Sequence, residues 1–173
     1  TGQVKDLAST TVAALSSTQV NALGAAQVAA LTKVAVAALT TGQVAGMTTT
    51  VLKALTNESV AALTNDQVKA LTTASMAAMT TGQVKALESA DIAVLSSAQV
   101  GALTTTQVGV LTATQVKSLS SGALAGLTTG TVQTLTSTQL SALPAASVSA
   151  LSTAQVAALT TSQVAEMTAT LVS

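Results

Sequence analysis

A chain of 173 residues with six lysines, no arginine and six acids carries no net charge. It lacks the basic face that nucleic acids demand and the polybasic patch that holds a protein to an anionic membrane. Nearly half of the residues are hydrophobic (49%), yet Phe, Trp, Tyr, Cys and His are absent, which excludes disulfides, imidazole chemistry and an aromatic core.

The apolar residues come in short bursts of Ala, Val and Leu, never in the ~20 in a row that a membrane span needs. Their share is too high for a disordered tail. One period orders them. A unit with consensus L-T-T-x-Q-V-A-A begins at Leu7 and returns every eight residues to Met167, at 21 positions, none of them polar. Position six is equally regular, with 17 Val among 22 occurrences and Leu52, Met76, Ile92, Leu124 and Leu140 as exceptions. Such a period points to a repeat array rather than an ordinary domain.

Three backbones compete for this octad. In one continuous helix the apolar stripe would drift ~80° per repeat, and no partner could follow it. In a β-solenoid, Val at position six and the next Leu would face opposite ways, and the paired alanines would sit poorly in strands; this is the minor alternative. The third backbone is a chain of very short helices, all-α, one per octad. Thr or Ser at position two is followed three residues later by Gln, the spacing of a capping box. Val and the next Leu then stand at i and i+3 on one face. A helix of some six or seven residues cannot stand alone, so neighbours must stabilise it, as in a compact α-solenoid. Either two or three octads would complete a coil, with Leu and Val inside and Thr, Gln and Lys outside.

Along the chain, the opening is irregular: Asp6 takes an Ala position and Ala8 a cap. Gly24 and Pro144 replace cap residues, with a local kink at most expected at the proline. Lys33-Val-Ala35 lacks both Gln and a polar fourth position. Thr40 with Gln43, Thr64 with Gln67 and Thr104 with Gln107 are predicted cap pairs. Leu55, Val60, Leu63, Val68, Leu71, Leu103, Val108 and Leu111 are predicted core. Glu58 and Asp66 fall in first turns, and Lys5, Lys53, Lys69, Lys85 and Lys117 all at position seven in last turns, where the helix dipole favours each. Five of six lysines at one position mark it as solvent-facing. Gly46, Gly101, Gly109 and Gly126 enter helix interiors at ~1 kcal/mol each. No linker interrupts residues 1–173, a single array of about 21 octads that enters at Thr1 and leaves at Ser173 mid-unit, as a piece of a longer array would.

Candidate chemistry is sparse. Glu88 and Asp91 form the one close acidic pair, either a cap variant or a weak cation site. No cofactor, metal or catalytic residue is expected. Asn57-Glu-Ser59 is a sequon. The Thr rows at positions two and three either cap and solvate, or form a repetitive hydroxyl face for ice or a polysaccharide.

The consensus, best quoted by Leu159-Thr-Thr-Ser-Gln-Val-Ala-Glu-Met167 and Leu103-Thr-Thr-Thr-Gln-Val-Gly-Val-Leu111, resembles the octapeptide arrays of large bacterial surface or secreted proteins. The resemblance spans the chain and implies a spacer beside other domains. The same nine residues look like the opening helix of DNA-binding effector repeats, but the remainder of that longer repeat and its basic residues are missing. The expected protein is a structural one, extracellular or at the cell surface. It would form a rigid rod, stalk or filament segment that associates end to end.

Overall fold

A computed structural model describes residues 9–171, with side chains as far as Met167. Thr1, Val4, Lys5, Asp6, Leu7, Ala8 and Val172 lie outside the described residues. Twenty helices and no strand are found among the described residues, so the octad is helical and the β-solenoid is excluded there.

The helices fall into two compact units divided after Leu87. The first holds α1 (Ser9–Ala13), α2 (Ser17–Asn21), α3 (Ala25–Ala29), α4 (Lys33–Ala37), α5 (Thr41–Ala45), α6 (Thr49–Ala54), α7 (Asn57–Val60), α8 (Asn65–Ala70), α9 (Thr73–Ala78) and α10 (Thr81–Ala86). The second holds α11 (Ser89–Ala93), α12 (Ser97–Gly101), α13 (Thr105–Gly109), α14 (Ala113–Ser118), α15 (Ser121–Leu124), α16 (Thr129–Gln133), α17 (Ser137–Ser141), α18 (Ala145–Val148), α19 (Thr153–Ala157) and α20 (Thr161–Leu171).

Within each unit every helix packs on the one three places later. In the first, α1 meets α4, α2 meets α5, and so on to α7 with α10; in the second, α11 meets α14 and the series runs to α17 with α20. Three octads therefore complete a coil, which settles the choice left open by the period. Each unit is an α-solenoid.

Apart from α20, the helices have four to six residues, most of them shorter than the six or seven expected. Two residues of each octad must leave the helix to turn the corner. At the end of α8, Leu71 has φ −61° and ψ 131°, and Thr72, the cap of α9, has φ −74° and ψ 162°. Two successive extended residues turn the chain. No described residue, glycine included, has positive φ, so the corner needs no left-handed glycine of the kind that commonly ends helices. Gly24 and Pro144 both serve as N-caps in this same extended geometry.

The corner is tied by backbone. The Val68 N–H donates to Thr64 O at 2.9 Å, and the Leu71 N–H donates to Val68 O at 3.2 Å. This leaves the Val and Leu side chains on one face. Leu55, Val60, Leu63, Val68, Leu71, Leu103, Val108 and Leu111 are each 6% exposed or less. Each such burial stabilises by about 1.5–3 kcal/mol, which the octad gains only when a coil lies against it. Val156 and Val164, near the end of the described residues, are exposed.

Candidate functional site

The chemistry-bearing side chains sort themselves by octad position. Position two is a cap throughout most of the array. Gln43 N–H donates to Thr40 Oγ1 at 3.1 Å, Gln67 N–H to Thr64 Oγ1 at 3.3 Å, and Gln107 N–H to Thr104 Oγ1 at 3.2 Å. In return the N–H of each cap donates to Gln Oε1: Thr40 at 2.7 Å, Thr64 at 2.8 Å and Thr104 at 2.7 Å. These are reciprocal capping boxes.

The outward placement expected for glutamine is overturned. Gln43, Gln67, Gln83, Gln99, Gln107, Gln115, Gln139, Gln155 and Gln163 are all buried. The Oε1 of each is held by the local cap, and in Gln43, Gln67, Gln83, Gln139, Gln155 and Gln163 the Nε2 turns to an earlier coil of the same unit. Gln67 Nε2 donates to Val36 O at 2.9 Å and to Leu39 O at 2.6 Å. Gln43 does the same to Val12 and Leu15, Gln83 to Leu52 and Leu55, Gln139 to Val108 and Leu111, and Gln155 to Leu124 and Leu127. One carboxamide thus caps its own helix and ties its corner to the corner beneath. Burying that amide would cost a few kcal/mol if it were unpaired; all its groups find partners.

Gln19 and Gln27 show where the burial comes from. Each accepts the N–H of its cap residue at 2.8 Å. Neither has residues 28 to 31 places earlier in this sequence, and Gln19 is exposed while Gln27 is half-buried. In one octad that lacks Gln, another carboxamide substitutes. The octad of α6 has Val51 in its place, and the cap N–H of Thr48 donates instead to Asn21 Oδ1 at 2.8 Å, while Asn21 Nδ2 donates to Gly46 O at 2.7 Å. The reading of the residues missed this role for Asn21.

The glycines need a second correction. Gly46 is the C-cap of α5, Gly101 and Gly109 are the last residues of α12 and α13, and Gly126 lies beyond α15. None is in a helix interior. Gly101 and Gly126 meet: a Cβ on Gly101 would stand 2.8 Å from Gly126 O.

The charged residues are peripheral, with one exception. Lys33, Lys53, Lys69, Lys85 and Lys117 are exposed. Lys69 pairs with Asp66 at 3.2 Å and Lys33 with Glu58 at 3.7 Å; exposed pairs of this kind contribute little. Asp91 is the exception, buried in a glutamine's place and accepting the Glu88 N–H at 2.9 Å. Burial raises its pKa above the ordinary value; the Glu88 N–H opposes the shift and the Glu88 charge adds to it. The folded state then holds the proton more tightly than the unfolded chain. The contribution to stability is complete below about pH 4, the unfolded carboxyl's range, and is lost as pH rises through the raised value. Asp91→Asn keeps the acceptor and cannot ionise. It is expected to melt higher than the parent at pH 7, with the gap closing near about pH 4; thermal melts across that range check this.

Among the described residues no three acids gather as a metal site, and no helix is long and apolar enough to cross a membrane. The hydroxyls of positions two and three face solvent, Thr40, Thr41, Thr48, Thr49, Thr72 and Thr73 among them.

Compared with known proteins, the chain matches a family model described as the ALTTAQ repeat over residues 1–33, 36–73, 84–121 and 135–169, well over half of its length. No curated protein and no solved structure matches it.

Proposed function

The chain belongs to the ALTTAQ repeat family, and from that premise we propose that it is a structural array, a rigid rod or stalk segment of a bacterial extracellular or surface protein. Catalysis is no part of this role. The observation that carries the reading is the glutamine ladder. Within each unit the cap hydroxyls of position two and the glutamines of position five are used in capping helices and in tying coil to coil, which is what a spacer requires and what an active site does not. Stacking is a nearest-neighbour affair in such arrays, so a coil edge with Val156 and Val164 exposed is a natural seat for another coil, and end-to-end association follows.

Analytical ultracentrifugation and electron microscopy test this. The expected result is mass that grows with concentration and elongated particles, with growth abolished by Val156→Lys together with Val164→Lys. Dispersed monomers of globular outline at every concentration would overturn it. Fractionation of the source cells tests the location; recovery in the cytosol alone removes the surface role.

The exposed hydroxyl rows favour a second reading, a face that meets ice or a polysaccharide. The position-two oxygens already accept from their own helices, which leaves position three to carry it. A thermal-hysteresis measurement and a glycan-binding assay decide; no activity in either removes it.

A further inference from the structure

Three corners complete each coil of the second unit, so its coils stack along three edges. The carboxamides are spread unevenly over them. The edge of the α13–α14 and α16–α17 corners is tied at both. Gln139 Nε2 donates to Val108 O at 3.0 Å and Leu111 O at 2.7 Å, and Gln163 Nε2 to Val132 O at 3.1 Å and Leu135 O at 2.8 Å. The edge of the α12–α13 and α15–α16 corners is tied at the second by Gln155, and Gly101 meets Gly126 there. The edge of the α11–α12 and α14–α15 corners has neither device. Ala123 and Ser147 stand in the place of glutamine, 31 residues after Ile92 and Val116. Alanine has no donor, and a serine hydroxyl is too short to span the coils; Ser59 and Ser75 hold theirs against their own caps. Apolar burial does not separate the edges. Ile92, Leu95, Val116 and Leu119 on this one, and Val108, Leu111, Val132 and Leu135 on the tied one, are each 4% exposed or less.

We propose that this edge is the opening side of a hinge. The second unit parts its coils at the α11–α12 and α14–α15 corners while the α13–α14 and α16–α17 corners stay joined. Local opening of a native protein starts where the fewest bonds must break. Each glutamine tie adds two hydrogen bonds, so a tied corner opens on the order of tenfold less often. The unit then yields to bending in one sense and resists it in the other. The hinge belongs to the second unit alone and does not rest on the array's being a stalk.

Amide hydrogen exchange of the full chain, read by NMR, compares four leucines in equivalent corners. The Leu95 and Leu119 N–H groups donate to Ile92 O at 3.3 Å and Val116 O at 3.2 Å, and those of Leu111 and Leu135 to Val108 O and Val132 O at 3.2 Å each, so the local bonds are alike. After correction for intrinsic rates, Leu95 and Leu119 are expected to exchange about tenfold faster than Leu111 and Leu135. Gln139→Ser installs a residue that the octads of Ser59, Ser75 and Ser147 already carry. It should bring Leu111 to the rate of Leu119 and leave Leu135 slow. Ala123→Gln sets a carboxamide opposite Ile92 and Leu95 and should slow Leu95 by a similar factor; if that variant does not fold, Gln139→Ser decides. Equal rates at the four leucines of the parent, a Gln139→Ser protein in which Leu111 exchanges as before, or a folded Ala123→Gln protein with Leu95 unchanged would each overturn the proposal.

Discussion

Gln67→Ala is expected to destabilise the first unit by roughly 2–4 kcal/mol, several times the effect of Gln19→Ala. The two residues share the same local arrangement. Each accepts its cap N–H at 2.8 Å and has its own N–H on the cap hydroxyl. Loss of that half of a capping box costs at most about 1 kcal/mol. Gln67 also holds Val36 O and Leu39 O and is 2% exposed. Each such bond is worth about 1 kcal/mol net, and truncation leaves a gap in the stack as well. The difference between the two variants therefore measures the tie between coils. Gln67→Met keeps the bulk and loses the polar ends, and should recover less than half of the loss. Hydrogen exchange should show the damage confined to the corners at 36–40 and 64–71, because the array is stabilised by neighbours. Equal losses at Gln19 and Gln67 would mean that glutamine serves only as a cap.

That contrast also marks how far the residues alone could be read. Helix, cap and core were legible because each depends on bonds within four residues: Thr64 with Gln67, and Val68 with Leu71. Coil size was not, since it is set by pairs such as Gln67 and Val36 that no local pattern links. Burial of glutamine was misread because a carboxamide counts as polar wherever it sits. A signal was present. Position five is filled by Gln, by the small or apolar Thr11, Ala35, Val51, Ser59, Ser75, Ala123, Thr131, Ser147 and Leu171, or once by an acid, Asp91, and never by Lys, while position seven holds Lys53, Lys69, Lys85 and Lys117. A place that refuses lysine beside one that gathers it is an inside place. Gly126 was misjudged for a related reason: its value lies in what the neighbouring coil does, not in its own helix.

Gly126→Ala is expected to destabilise the second unit by roughly 3 kcal/mol, against the direction of intrinsic propensity, which favours Ala by about 1 kcal/mol in a helix. Backbone conformation is not the obstacle, since no described glycine has positive φ. The obstacle is Ser97. A Cβ on Gly126 would overlap the Ser97 carbonyl oxygen and stand 2.7 Å from its carbonyl carbon. Both atoms are backbone, so no rotamer can swing clear. Either α15 lifts from α12 or the substitution strains both, and overpacking of this kind costs about 1–3 kcal/mol, sometimes more. Gly101→Ala faces Gly126 O at 2.8 Å and should cost less. In the first unit Ala45 and Ala70 hold the corresponding places, 25 residues apart, on the packed pair α5 and α8, so a coil spaced for two methyl groups is attainable. For that reason Gly126→Ala should still fold, with a lower melting temperature and faster exchange in α12 and α15. The pair Gly101→Ala with Gly126→Ala should cost less than the sum of the singles, because one separation of the coils relieves both. Urea melts of the three variants check this; a Gly126→Ala protein as stable as the parent would show that the close approach of these backbones is not required for stability.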